Sequence, residues 1–147
     1  MKTAIVYYSK HHGNTKKLID AIAAKYEIDC IDVTQTTAAD LSGYDLIGFA
    51  SGIYYSKYHK LVLQFAEENL PADKKVFFLH TYGVKKEGYT KAICEAISKH
   101  SAVVAGEFGC LGFNTFGPFK LIGGIAKGYP DKDELKAVVD FYDALVK

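Results

Sequence analysis

At 147 residues the chain is long enough for one cooperative domain and short for two, and 49% apolar against 24% charged residues is ordinary globular composition. Eighteen basic residues face 17 acidic ones with no long basic block, which argues against a nucleic-acid binder. No apolar run approaches the ~20 residues of a membrane helix, and Ala4 to Tyr8 is too short for a signal-peptide core, so a cytoplasmic protein is expected.

Lys2 to Tyr8 is a nearly continuous apolar run, the pattern of a parallel strand covered on both faces. From Thr15 the period changes, and Leu18, Ile19, Ile22 and Ala23 share one face of an amphipathic helix. Ile28 to Val33 reads as a second strand. Thr37 to Asp40 resembles a capping box that opens a brief helical turn before a third strand, Tyr44 to Ala50. The next helix starts near His59, buries Leu61, Val62, Phe65 and Ala66, and stops at Leu70-Pro71. Lys75 to His80 is a fourth strand. A helix over Tyr89 to Lys99 turns Ala92, Ile93, Ala96 and Ile97 inward, and Ala102 to Phe108 is a fifth strand. The last helix is announced by Pro130-Asp131, with a capping box from Asp131 to Glu134 and an apolar stripe of Leu135, Val138, Val139 and Tyr142.

Five strands alternating with helices predict an α/β protein, a three-layer doubly wound sandwich on a five-stranded parallel sheet, with residues 1–147 as a single domain. Pattern alone does not set the strand order. Cys30, Cys94 and Cys110 are scattered and odd in number, and read as small buried hydrophobes, not as an iron–sulfur or zinc ligand set; no metal is expected.

In an open parallel sheet ligands bind at the carboxyl ends of the strands. Three unusual loops fall at that edge. The first, Ser9-Lys10-His11-His12-Gly13-Asn14-Thr15, joins a buried strand to a helix start. Gly13 permits a tight turn, and helix amides with the Ser9 and Thr15 hydroxyls and the Asn14 amide suit a phosphate, although such a segment is also a common helix cap. Neither the Walker A spacing nor Gly-x-Gly-x-x-Gly is present. The second loop, Ser51-Gly52-Ile53-Tyr54-Tyr55-Ser56-Lys57-Tyr58, offers three tyrosines, and one of Tyr54 or Tyr55 is expected to touch a conjugated ring. The third, His80-Thr81-Tyr82-Gly83, offers backbone amides for the polar edge of a planar ligand and the face of Tyr82. His80 itself reads as a satisfied strand-end histidine.

Over essentially its whole length the sequence resembles the short-chain flavodoxins. Val6-Tyr7-Tyr8-Ser9 followed by Gly13-Asn14-Thr15 looks like that family's phosphate loop, Ser51 to Tyr58 matches its second flavin loop and Thr81-Tyr82-Gly83 its third. The resemblance implies FMN as cofactor, sheet order 2-1-3-4-5, and electron transport between redox partner proteins, with no catalytic side chain required. Lys10, His11 and His12 depart from the small residues usual in that phosphate loop, yet a positive or titratable group suits a dianionic phosphate. The near-neutral charge also departs from the acidic character of typical carriers and implies a different partner set.

Gly112 to Gly128 is long for a connection and mixes five glycines with large apolar residues. It reads either as a short helix started by Pro118 or as a border to the flavin, with a substrate pocket or a homodimer contact. That stretch, and the similarity of Ser51 to His59 to the loop of flavodoxin-like protoporphyrinogen oxidases, sustains an alternative: an FMN-dependent oxidoreductase acting on a quinone or a protoporphyrinogen-like substrate. Monomer and homodimer both remain open. A response-regulator receiver does not fit, because Tyr7-Tyr8-Ser9 and Ala50-Ser51 stand where its acidic residues belong.

Overall fold

The computed structural model describes residues 1–10, 13–112 and 130–147. Its elements run β1 (Thr3–Tyr8), α1 (Asn14–Ala23), β2 (Asp29–Asp32), β3 (Leu46–Tyr54), β4 (Lys57–Tyr58), α2 (Lys60–Asn69), β5 (Lys75–Tyr82), α3 (Lys91–Ala96), a single 3-10 turn at Ser98–His100, β6 (Val103–Leu111) and α4 (Lys132–Val146). The long strands lie side by side in the order β2-β1-β3-β5-β6, all parallel, which is the doubly wound 2-1-3-4-5 order. Two-residue β4 is the exception and pairs antiparallel with the end of β3.

Alternation along the strands divides the core into two layers. Ile5, Leu46, Ala50, Phe77 and Leu79 point to one side, where Leu18, Ile19 and Ile22 of α1 and Val138 and Tyr142 of α4 cover them. Val6, Ile47, Phe49, Val76 and Phe78 point to the other, under Val62, Phe65 and Ala66 of α2 and Ile93 of α3. The buried Tyr142 hydroxyl donates to Thr3 Oγ1 at 2.8 Å, so α4 is anchored to the first strand with its polar atom satisfied.

Several local expectations are corrected. β3 continues four residues past Ala50 and β5 two past His80, so parts of both expected loops are strand. Register explains it: Gly52 pairs with Thr81 and Tyr82 with Leu111, and each extension is held by its neighbour. Thr37 to Asp40 forms no helical turn. Thr36 Oγ1 instead accepts from Ala38 N, and Asp40 accepts from the amide and hydroxyl of Ser42, local bonds that compete with a helix. Ala23, at the last position of α1, is exposed, and α3 is shorter than expected, with Ile97 buried just beyond its end. Of the cysteines only Cys110 is buried; Cys30 and Cys94 are exposed because edge strand β2 and α3 turn them outward. Asp131 does cap α4, accepting from the amides of Asp133 and Glu134, but Glu134 accepts from Leu111 N at 3.2 Å and ties α4 to the end of β6. The readings of His11 and His12, and of residues 113–128 within the long connection, lie outside the described residues.

Candidate functional site

The carboxyl ends of β1, β3 and β5 are adjacent in the sheet, so the segments that follow them meet at one edge. Behind β1, Ser9 and exposed Lys10 lead to Gly13, which stands at φ 64° directly before α1. That left-handed conformation favours glycine, and a Cβ placed there would meet none of the described residues within 4 Å, so among them the turn before α1 is open. No side chain at the N-cap position closes α1. Its third amide, Lys16 N, donates to Ser9 Oγ at 2.9 Å, so the loop folds back on the helix start and Ser9 caps from a distance. Asn14 and Thr15 are both buried at this end.

The first and third segments are joined. Thr15 Oγ1 and Thr81 Oγ1 share a buried hydrogen bond of 3.0 Å, and Gly112, beyond β6, closes over Asn14: a Cβ at Gly112 would lie 2.8 Å from Asn14 Nδ2. Gly112 N in turn donates to Tyr82 O at 2.9 Å. One polar seam therefore runs from the start of α1 across β5 to the end of β6.

The second segment is a β-hairpin. Ile53 pairs with Tyr58 and Tyr54 with Lys57, leaving Tyr55 and Ser56 as a two-residue turn at φ 51° and 67°, the positive-φ signature of a type I′ connection. Ser51 is fully buried. It accepts from His59 N at 3.0 Å and donates to Gly52 O, which fixes the chain where the hairpin returns to enter α2. Gly52, Ile53 and Tyr54 are half-buried along the rising strand, and Tyr55 is 83% exposed at the tip.

Rings line the rest of the edge. Tyr8, the last residue of β1, stacks on His59 with centroids 3.7 Å apart and planes 5° from parallel, and Tyr54 meets both edge-on. His59 Nδ1 accepts from Leu61 N, which holds the imidazole as the N-cap of α2 and requires it neutral at that atom. Burial, with a contribution from the Lys60 charge, lowers its pKa. On β5, Tyr82 stacks on Tyr89, and His80 lies between that pair and Tyr58. His80 Nδ1 bonds the Tyr58 hydroxyl at 3.0 Å, and its ring lies so close over Gly109 that a Cβ there would come within 2.3 Å of Nε2. Burial pulls the His80 pKa down to about 4, opposed by Glu107, and His80 is the satisfied histidine its strand-end position suggests. Gly83 follows Tyr82 half-buried, at the start of the exposed turn 84–88.

Ser9, Gly13, Asn14, Thr15 and Thr81 thus form a polar end, and Gly52 to Tyr55 with Tyr82 and Gly83 an aromatic one. Tyr8, His59 and Tyr89 belong to the ring wall; Tyr8 and His59 fall within the motifs quoted from the sequence, but none of the three was a candidate site residue there. The signal for the first two lay in topology, since β1 borders β3 and α2 follows the β3–β4 hairpin, which puts the end of β1 beside the start of α2. Among the described residues no cluster of three or more His, Cys, Asp or Glu side chains offers a metal site, and no helix is long and apolar enough to cross a membrane.

Residues 5–87 match the family model described as a flavodoxin domain. An uncharacterized protein of Methanocaldococcus jannaschii is 35% identical over 149 residues, covering 100% of this chain and 99% of that protein. Among solved structures, a flavodoxin from the domain Archaea superposes with TM-score 0.68 at 18% identity, over 97% of this chain and 98% of that one. The two-electron reduced flavodoxin of Megasphaera elsdenii gives 0.63 at 20% identity, over 93% and 97%. At these identities the structures show the shared fold.

Proposed function

The chain belongs to the flavodoxin family, whose work is electron transfer, and from that premise we propose that it holds FMN non-covalently at this edge and passes electrons between partner proteins of the cytoplasm. The observation that carries the reading is the open turn at Gly13 before the start of α1. Helix amides and the positive end of the helix dipole favour an anion there, and Ser9, Asn14 and Thr15 supply polar side chains around it. Lys10, and with it His11 and His12, adds charge or titratable groups suited to a phosphate. We assign Ser51, Gly52, Ile53, Tyr54 and Tyr55 on one side and Thr81, Tyr82 and Gly83 on the other to the flavin ring.

When bound, FMN supplies reversible one-electron chemistry, and the protein's part is to place the ring and set its surroundings. Tyr54 and Tyr82 provide flat apolar faces with polar tips at the water boundary. The Thr15–Thr81 bond fixes the spacing between the phosphate end and the ring end. Neutral His59 and His80 keep positive charge out of the ring wall, and no side chain needs to exchange a proton for the carrier to work.

The test is to add FMN to the purified chain, remove the excess and reduce anaerobically in steps. Retained flavin absorbance with reduction in two separate one-electron stages supports the carrier. Absence of retained FMN overturns the cofactor assignment.

A further inference from the structure

Five lysines stand on the segments that frame the proposed flavin edge: Lys10 behind β1, Lys57 and Lys60 around the β3–β4 hairpin, and Lys85 and Lys86 behind β5. All are exposed, and Glu87 is the one carboxylate on those segments. Among the described residues, Lys16, Lys25, Lys99 and Lys136 pair with carboxylates and Lys74 donates to the carbonyls of Ser42 and Tyr44, while Lys17, Lys75, Lys91, Lys132 and Lys147 are scattered over other parts of the chain without an ion pair. None of the five rim lysines takes part in an ion pair there. The acids of the same sheet edge sit to either side of the rim. Asp32, at the end of outer strand β2, is tied to the amide and hydroxyl of Thr34, and Asp131 and Asp133 belong to the start of α4 beyond β6.

Fold stability does not account for Lys60. Lys60 is the first residue of α2, where the positive end of the helix dipole disfavours a cation. Two of the large hydrophobic residues the protein exposes stand among these lysines, Tyr55 at 83% and Val84 at 47%. Tyr55 also occupies a left-handed turn position that an asparagine or glycine would fill with less strain. An aromatic and an aliphatic projection on the same segments as exposed lysines combine an apolar contact with charges that can steer an approaching partner.

We propose that this rim docks a protein with a carboxylate-rich surface, bringing a redox partner of acidic character against the flavin edge. The proposal rests on the electron-carrier reading and specifies its partner. Tyr55 and Val84 supply the apolar contact; Lys57, Lys60, Lys85 and Lys86 steer the approach and set orientation. The chemistry of the cation favours a protein carboxylate over nucleic acid. All 18 residues counted as Lys or Arg are lysine, a strongly hydrated point charge suited to rapid, salt-sensitive encounters, and no arginine is present to make the bidentate contacts that phosphate recognition favours.

The experiment titrates the isotope-labelled full chain, with and without FMN, with an acidic ferredoxin carrying gallium in place of iron, and follows backbone amide shifts. This readout requires no electron transfer. Loss of FMN would therefore overturn the cofactor reading while leaving the docking result to stand separately. The expected result is shifts centred on Tyr55, Lys57, Lys60, Val84 and Lys85, with affinity falling about tenfold or more as salt is raised through the physiological range. The combined variant Lys57→Gln, Lys60→Gln, Lys85→Gln, Lys86→Gln should lose affinity by at least about tenfold while its melting temperature holds or rises, since Lys60→Gln removes an unfavourable dipole contact. No binding at low salt, shifts centred on β6 and α4, or an unchanged affinity in the variant would overturn the proposal. So would tighter binding of a single-stranded oligonucleotide to the same residues, which would assign the rim to nucleic acid.

Discussion

Around the start of α1 the site is made of small polar groups set by backbone geometry: Gly13 at positive φ, Ser9 folded onto Lys16 N, and the Thr15–Thr81 bond. Between the hairpin and the end of β5 it is made of rings, with Tyr8 on His59, Tyr82 on Tyr89, and His80 against Tyr58. The two ends fail differently. The polar end depends on one backbone conformation, so a single Cβ disturbs it. The aromatic end depends on burial and on the charge state of its histidines, so it is exposed to pH. The proposed carrier needs both, one end to anchor the phosphate of FMN and the other to hold its planar ring.

The largest expected effect falls on the aromatic end. His80 has a pKa of about 4 in the folded protein, below the 6.5 of an unperturbed histidine, because burial penalises its charged form. The unfolded chain therefore takes up the proton first as pH falls. Stability from this residue is complete above 6.5, declines on the way down to about 4, and is level below. A shift of that size corresponds to about 3 kcal/mol. His59, also lowered by burial, acts in the same direction. Denaturant titrations at neutral pH and near pH 4 should show that decline in the wild type and a loss smaller by about 2–3 kcal/mol in His80→Gln. Equal acid sensitivity in the two proteins would remove His80 as its source.

The polar end was more legible in the sequence than the aromatic one, for a physical reason. Gly13-Asn14-Thr15 between an apolar strand and an amphipathic helix constrains local backbone, and local backbone follows from local residues. The doubly wound fold was legible for the same reason, since Val6, Leu18, Phe49, Val62 and Val138 fall on the periods that their strands and helices demand. The ring wall is a tertiary product. Tyr8 and His59 are far apart in the chain and meet only because β1 lies beside β3. The hairpin was hidden because its turn residues, Tyr55 and Ser56, are not the Asn-Gly pair that advertises a type I′ connection. Thr37 to Asp40 carried a capping signal that side-chain bonds within the loop used for other turns.

Gly13→Val sharpens the contrast from the polar end. Valine at φ 64° costs about 1–2 kcal/mol of stability, and its side chain enters the turn before α1. FMN affinity should fall at least about tenfold, while riboflavin, which lacks the phosphate, should bind the variant as it binds the wild type. Fluorescence titration with both flavins separates the outcomes. A proportionate loss for both would mean that Gly13 shapes the whole site and not an anion subsite.

Tyr58→Phe is the matching change on the aromatic side. The ring is fully buried and its hydroxyl bonds His80 Nδ1, so its removal strands a buried imidazole nitrogen without changing the packing of the ring. A loss of about 1–2 kcal/mol in denaturant unfolding is expected, with riboflavin and FMN affected alike. A loss confined to FMN would break the division between the two ends.

The smallest effect is expected at the hairpin tip, and it has the opposite sign. Tyr55 and Ser56 hold positive φ without being glycine or asparagine, a conformation that those two residue types adopt with less strain. Replacing them together, Tyr55→Asn with Ser56→Gly, gives the turn the residues its geometry favours and should stabilise the protein by about 0.5–1 kcal/mol, read as a higher melting temperature. The same change deletes the exposed Tyr55 ring that the docking proposal uses as its aromatic contact. A more stable protein with weaker docking to the acidic ferredoxin would show that the strain is kept for the sake of the contact. A more stable protein that docks unchanged would confine the interface to the lysines, and a less stable one would mean that the Tyr55 ring itself supports the hairpin.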